Sequence, residues 1–304
     1  MDTREVKSEL LLFLTAVIWG LAFVAQRSGM AFVGPFTFNA VRFTLGAASL
    51  LPVILYLDRK KRQRGETVES AKSRTLVVGG LSAGFLLFVG SSLQQVGIVF
   101  TTAGNAGFIT GLYVVLVPIL GMFWGQRTGR NTWAGSLLAA AGLYLLSFSE
   151  QFTIARGDFL VLIGAFVWAG HVLLIGMFSS RTDSLKLALS QFIVCAVLSA
   201  LVAVAFETNG VLDIQRAAIP ILYAGVMSVG LAYTLQVVGQ ENAHPSHAAI
   251  ILSLEGVFAA IGGWLLLGES MSLRGLTGCG LMLSGILLSQ VKWPGKVTVA
   301  ARRE

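Results

Sequence analysis

The sequence predicts an all-α integral membrane protein with ten transmembrane helices, arranged as two inverted repeats of five helices. Three observations predict this fold class: a low share of charged residues, a row of long apolar segments, and similarity between the two halves. Of the 304 residues, 55% are hydrophobic and only 12% are charged. A soluble domain carries about 25% charged residues, so this chain has too few charges to cover a surface that faces water.

Ten apolar segments follow one another along the chain, each close to the roughly 20 residues that a helix needs to cross a bilayer. The predicted spans are 10–29, 35–57, 75–97, 102–124, 132–149, 158–178, 185–206, 217–239, 245–267 and 273–291. Pro35 and Pro245 are expected to open the second and ninth spans, because the first helical turn tolerates proline. Asp158 is expected to cap the sixth span. The first apolar run lacks an A-x-A cleavage site, so we expect it to be a retained helix.

Basic residues are concentrated on one predicted side of the membrane. The loops and termini on the side of both chain ends carry 17 Lys and Arg, the opposite side carries 4, and Arg42 alone lies within a span. Lys and Arg favour the cytoplasmic side, so both termini are expected in the cytoplasm. The net charge of +7 therefore reflects topology, and nucleic acid is not an expected partner.

Short motifs recur between residues 1–150 and residues 151–304, the second of which ends in a predicted cytoplasmic tail. The matches are Trp19-Gly20 with Trp168-Ala169, Leu93-Gln94-x-Val96-Gly97 with Leu235-Gln236-x-Val238-Gly239, and Gly125, Gly135 and Gly142 with Gly268, Gly278 and Gly285. Each half thus holds five spans. Because five is odd, the second half is expected to enter the membrane from the opposite side. Transporters of this design bind substrate near the midplane, between the halves, and work by alternating access.

Polar residues within the spans are the candidates for a binding site. Glu255 lies near the middle of the ninth span, where a charge is costly and by default marks a functional site. A structural carboxyl that bonds a neighbouring helix is the alternative. Glu255 and His171 are also the proton-coupling candidates, histidine because it exchanges protons near neutral pH.

Arg42 either meets a carboxylate of the substrate, or extends outward to the membrane surface, or bonds to backbone carbonyls. Trp19 and Trp168 are repeat-equivalent and central, although tryptophan prefers membrane interfaces, so we expect them to face a cavity; helix packing is the alternative. The predicted substrate-binding residues are Trp19, Asn39, Arg42, Gln94, Asn105, Tyr113, Trp168, His171, Gln191, Tyr233, Gln236 and Glu255.

Neither a cofactor nor a metal is expected, and no enzymatic activity. His244 and His247 lack the spacing and the glutamate of a zinc-binding H-E-x-x-H motif, and the sequence contains no nucleotide-binding loop or nucleophile elbow. Energy is therefore expected from gradients. Glycines spaced four residues apart are expected to pack helices within a monomer rather than to form a dimer.

Three stretches, AVIWGLAFVAQRSG, GPFTFNAVRF and HPSHAAIILSLEGVFAAIGGWLLLGES, resemble the EamA-type ten-helix permeases of the drug/metabolite transporter superfamily. The resemblance covers nearly the whole chain. It implies inverted five-helix repeats, cytoplasmic termini, a plasma-membrane location (the inner membrane in a bacterium) and export of amino acids or other metabolites. Some members are similar to aromatic amino-acid exporters. Members often have Pro after the Glu of the ninth span, whereas this chain has Gly256, so the basis for a kink there is missing; Pro118 in the fourth span remains.

The sequence therefore predicts a secondary transporter that exports small metabolites, with amino acids as the first choice. Phosphorylated cargo needs cations at its site, and only Arg42 is available within a span. A permease for drugs, sugars or sugar phosphates is the alternative within transport. A membrane receptor or scaffold is the alternative outside it.

Overall fold

The structure, a computed structural model, describes residues 3–68, 70, 73–126, 128–147, 156–268 and 273–290, and every regular element within them is helical. The helices are α1 (Thr3–Gly29), α2 (Pro35–Gln63), α3 (Arg74–Gly97), α4 (Ala103–Gly111), α5 (Tyr113–Phe123), α6 (Arg130–Ser147), α7 (Arg156–Phe178), α8 (Ser184–Phe206), α9 (Val211–Arg216), α10 (Ala218–Leu222), a π-helical stretch (Tyr223–Tyr233), α11 (Thr234–Gly239), α12 (Pro245–Leu252), α13 (Glu255–Leu267) and α14 (Leu273–Gln290).

Eight helical segments of the described chain are long and apolar enough to cross a membrane, so this is a multi-pass membrane protein. They are Arg4–Gly29, Pro35–Gln63, Arg74–Gly97, Ala103–Phe123, Arg156–Phe178, Ser184–Phe206, Ala218–Gly239 and Pro245–Leu267. Helices α6 and α14 have 18 residues each and coincide with the fifth and tenth predicted spans, apart from residues 148, 149 and 291, which lie outside the described ranges. The count of ten spans and their inverted arrangement remain predictions.

The expected starts of two helices are confirmed, and a third expectation is wrong. Pro35 and Pro245 are the first residues of α2 and α12. Asp158 does not cap α7, because it lies inside the first described turn of that helix. Its carboxylate instead accepts a hydrogen bond of 2.6 Å from the Thr101 hydroxyl, which joins the loop between α3 and α4 to α7.

The fourth and ninth predicted spans are each interrupted by one tighter turn. The N–H of Leu112 donates to the Ile109 carbonyl, and the N–H of Leu254 donates to the Ile251 carbonyl, both at 3.2 Å and both three residues back instead of four. The break in the ninth span thus forms without a proline. There the Ser253 hydroxyl donates to the Ile250 carbonyl at 2.8 Å, a local bond that competes with the helical ladder.

Helices α6 and α14 approach each other closely through glycines. A Cβ built on Gly135 would lie 2.5 Å from the carbonyl oxygen of Gly285, and a Cβ on Gly142 would lie 2.5 Å from that of Gly278. No side chain larger than hydrogen fits at these distances. The two backbones are therefore in direct contact, as small residues allow in membrane helices.

Helices α2 and α8 pack in antiparallel orientation, and two ion pairs join them at one end. Lys61 meets Asp183 at 3.1 Å, and Lys186 meets Asp58 at 3.0 Å. The Lys186 side chain is only 10% exposed, so its ion pair is partly shielded from solvent. Each pair crosses between the predicted halves of the chain.

A carboxylate joins the same two helices at their opposite end. Glu207, which follows the last residue of α8, accepts hydrogen bonds from the backbone N–H groups of Phe36 at 2.9 Å and Thr37 at 2.7 Å. These are unsatisfied donors in the first turn of α2, where the helix dipole also favours a negative charge. The α2–α8 pair is thus held by charged groups at both ends.

Candidate functional site

A small cavity of about 30 Å³ lies inside the bundle, between α1, α2, α3, α7, the π-helical stretch and the broken fourth and ninth spans. Its aromatic wall is centred on Tyr233, the last residue of the π-helical stretch. The Tyr233 ring lies 4.5 Å from the Trp19 ring and 6.3 Å from the Trp168 ring, measured between centroids. These three rings, contributed by both halves of the chain, form an apolar frame for a ligand.

Arg42 projects from α2 into this cavity and is 2% exposed. Its guanidinium carbon lies 4.9 Å from the centroid of the Phe43 ring and 5.7 Å from that of Phe38, and these ring faces attract the cation. Among the described residues no carboxylate lies within ion-pair distance of Arg42, and its Nε has no hydrogen-bond partner. The positive charge is therefore available to an anionic group of a ligand.

Glu255 is the first residue of α13, lines the same cavity and is 4% exposed. One of its carboxylate oxygens has no hydrogen-bond partner. The Tyr113 hydroxyl lies close enough to this carboxyl to interact with it, although the two groups do not meet the strict geometry of a hydrogen bond. Buried polar groups in folded proteins are normally hydrogen-bonded. The unmet groups on this wall therefore indicate a place for a ligand or an ion.

A chain of hydrogen bonds joins three helices across another wall. The Trp168 indole N–H donates to the Gln94 side-chain oxygen at 3.1 Å, and the Gln94 amide donates to the Gln26 side-chain oxygen at 2.9 Å. The Trp19 indole N–H donates to the Ser228 carbonyl in the π-helical stretch at 3.3 Å. Both tryptophans thus face the cavity with their polar edges anchored, so their ring positions are well defined.

The structure brings most of the predicted residues to the cavity. Those on its wall are Trp19, Arg42, Gln94, Tyr113, Trp168, Tyr233, Gln236 and Glu255. His171 and Gln191 instead lie behind the aromatic wall, fully buried and bonded to each other at 2.8 Å. Of the two proton-coupling candidates, only Glu255 therefore borders the cavity.

Two other predicted residues also lie off the wall. Asn39 is fully buried one turn before Arg42 on α2, and neither of its polar side-chain atoms has a partner. Asn105 is half-buried in the first turn of α4, where its backbone N–H is capped by the Thr102 hydroxyl at 3.1 Å.

Five wall residues were not predicted from the sequence: Phe23, Gln26, Thr110, Val172 and Ser228. Helical spacing contained a signal for four of them. Phe23 and Gln26 lie four and seven residues after Trp19, Val172 lies four residues after Trp168, and Thr110 lies three residues before Tyr113. Each thus shares a helix face with a predicted residue.

Comparisons with known proteins agree with this architecture. The EamA-like transporter family matches residues 6–148 and again residues 155–290. The chain is 31% identical over 290 residues to an uncharacterized transporter of Archaeoglobus fulgidus, covering 95% of this chain and 87% of that protein. It is 22% identical to the uncharacterized transporter YoaV of Bacillus subtilis, covering 93% and 97%.

A solved crystal structure is also similar, with a TM-score of 0.76 at 20% identity, over 93% of this chain and 96% of that one. At this identity the likeness shows a shared fold. The family match covers most of the chain and agrees with the apolar helices and the internal cavity. The chain therefore belongs to the EamA-like transporter family.

Proposed function

We propose that this EamA-family transporter is a secondary transporter that exports small metabolites, amino acids first, by alternating access. One observation carries the choice of substrate: Arg42 and Glu255 both line one aromatic cavity and do not form an ion pair with each other. A free amino acid carries one charge of each sign on its own backbone. Its carboxylate suits the forked donors of Arg42, and its ammonium group suits Glu255.

The cavity also favours amino acids over the alternative cargoes. Its aromatic rings supply apolar contact for the side chain of an amino acid. A sugar phosphate would place about two negative charges in the site, and Arg42 is the one Lys or Arg on the described wall. Neutral sugars and drugs would leave both charged groups unmet.

Alternating access requires two structurally similar halves, each of which can adopt the conformation of the other. Several features support this similarity. The helix breaks at Leu112 and Leu254 are 142 residues apart, the offset of the Gln94 and Gln236 motifs. Gly125 and Gly268, at an offset of 143, follow α5 and α13 with φ angles of 73° and 68°. The family also matches the two halves separately.

The α6–α14 contact supports the inverted relation of the halves. Gly135 meets Gly285, which is the repeat equivalent of Gly142, and Gly142 meets Gly278, which is the equivalent of Gly135. If each residue is replaced by its repeat equivalent, the same pair of contacts results. A two-fold axis in the membrane plane that relates the two halves would produce this symmetry. Ten spans, cytoplasmic termini, a plasma-membrane location and a monomeric state complete the proposal, the orientation resting on the 17-to-4 distribution of Lys and Arg.

Flux into proteoliposomes tests the proposal. The purified protein is reconstituted, and uptake of labelled amino acids is measured with and without unlabelled competitors. Saturable, competable flux is expected, strongest for amino acids with apolar side chains. Competition by sugars or drugs, but not by amino acids, would show that the substrate is not an amino acid. Ligand binding without flux would favour a receptor or scaffold instead.

A further inference from the structure

The two interrupted spans meet beside the cavity. The Ser253 carbonyl oxygen, in the break before α13, would lie 3.7 Å from a Cβ on Gly111, the last residue of α4. A Cβ on Gly107, one turn earlier, would lie 2.8 Å from the Cβ of Ala259. The C-terminal ends of α4 and α12 therefore come together, and the Ser253 carbonyl oxygen accepts a hydrogen bond from the Gly256 N–H at 3.1 Å.

Three oxygen-bearing side chains surround this meeting point: Thr110, Tyr113 and Glu255. All three line the cavity and are at most 4% exposed. In each of them a side-chain oxygen lacks any hydrogen-bond partner. The group thus combines one carboxylate with two hydroxyls, and it contains no nitrogen donor that could neutralise the carboxylate.

Arg42 does not neutralise the Glu255 carboxylate, because the two residues form no ion pair. A buried carboxylate without a cation is costly, so such a group either takes up a proton or binds a cation. Hard cations are held by carboxylate, hydroxyl and carbonyl oxygens. Across the described residues no cluster of three or more His, Cys, Asp or Glu exists, so a site built on one carboxylate fits a single charge better than a divalent metal.

The geometry points to a binding site for one small monovalent cation, formed by Thr110, Tyr113 and Glu255 where the two broken helices meet. Two sources share this chemistry: an alkali ion such as Na⁺ and the ammonium group of the substrate. The second source rests on the proposed function, whereas the first does not. In either case the cation joins α5 to α13, so it stabilises arrangements in which these two helices are close.

Thermal unfolding of the full chain in lipid nanodiscs tests the site. NaCl and methylammonium chloride are each titrated against N-methyl-glucamine chloride at constant ionic strength and a fixed, mildly alkaline pH. We expect a saturable rise in the unfolding midpoint on the order of 5 °C with one of the two probes. A response to Na⁺ identifies an alkali-ion site, and a response to methylammonium alone identifies an ammonium site.

Variants show where the cation binds. Glu255→Gln should abolish the response, and Tyr113→Phe and Thr110→Val should weaken it several-fold. The latter two remove hydroxyls that have no partner, so they remain informative if Glu255→Gln does not fold. Glu207→Gln is the control, because it alters a carboxylate that follows α8 and does not line the cavity. This variant should keep the full rise in unfolding midpoint. The proposal is overturned if neither probe acts, or if the response survives in Glu255→Gln and in both hydroxyl variants.

Amino-acid flux, measured in parallel, separates this inference from the transport proposal. Intact flux without any cation response overturns the cation site alone. A specific cation response without flux of any substrate counts against the transport proposal and leaves the site standing.

Discussion

Arg42 and Glu255 line one cavity without forming an ion pair with each other. Isolated buried charges lower stability, so their presence needs a gain elsewhere. The proposed recognition of a zwitterion would provide that gain, because such a substrate would neutralise both groups at once. The Phe38 and Phe43 rings compensate part of the cost at Arg42 while leaving its hydrogen-bond donors unoccupied.

Arg42→Gln tests this account at a single residue. The variant loses a charge-assisted bond to the substrate carboxylate, so we expect the KM for amino-acid flux to rise roughly 10- to 100-fold. The unfolding temperature should not fall, since an unpaired buried charge is removed. An amine that lacks the carboxylate should compete equally well against both proteins.

Arg27→Gln is the matched control for that experiment. Arg27 donates to the carbonyls of Ile98 at 2.9 Å and Val99 at 3.0 Å, outside the cavity wall. Its loss should leave KM unchanged. An unchanged KM in a folded Arg42→Gln protein would remove Arg42 from the binding site.

At the scale of helices, direct backbone contact explains why glycine recurs at matched positions. A Cβ on Gly142 would meet the Gly278 carbonyl at 2.5 Å and the Met282 backbone nitrogen at 2.8 Å. Neither atom can move away without shifting α14. A Cβ on Gly280, in the same helix, would have no atom within 4 Å, so a side chain there enters open space.

Gly142→Ala should accordingly destabilise the protein by about 1–3 kcal/mol, the usual cost of overpacking. Gly280→Ala should be neutral or stabilising by up to about 1 kcal/mol, because alanine favours helix more than glycine does. The unfolding midpoints of the two variants are compared in detergent by heating each sample and measuring the remaining folded protein by size-exclusion chromatography. Equal midpoints would show that α6 and α14 are not in close contact in solution.

For the whole molecule, the α2–α8 pair connects the two halves of the chain, and charged side chains hold it at both ends. The ion pairs of Lys61 and Lys186 close one end, and Glu207 closes the other. Opening one end would break two ion pairs, and opening the other would break the hydrogen bonds to Glu207. We therefore expect this pair to remain together while other helices move during alternating access.

Cross-linking tests that expectation. Cysteines are placed at positions 61 and 183 in a background that lacks Cys195 and Cys279, and a short bifunctional thiol reagent joins them. The cross-linked protein should keep at least about half of its flux, because a pair that stays together loses little from being joined. The uncross-linked double variant is the control. A loss of flux that appears only on cross-linking would show that α2 and α8 must separate.

Local composition determined the membrane class and the helix starts at Pro35 and Pro245. Hydropathy and proline chemistry act within a few residues, so a sequence displays them directly. The sequence also identified Glu255 and Arg42 as candidates. A charged residue in an apolar span is evident from the sequence, whichever direction its side chain faces in the folded protein. The break before Glu255 was not expected, since no proline lies there; the Ser253 hydroxyl bonds to its own helix at this point.

Only the tertiary structure decided which polar residues meet. Gln26 reaches Trp168 through Gln94, whereas His171 turns away from the cavity to Gln191. The rotation and crossing of packed helices set these contacts between distant parts of the chain, and hydropathy does not encode either one. The sequence by itself thus determined that polar groups lie within the membrane. Packing decided that the acid and the arginine share one cavity.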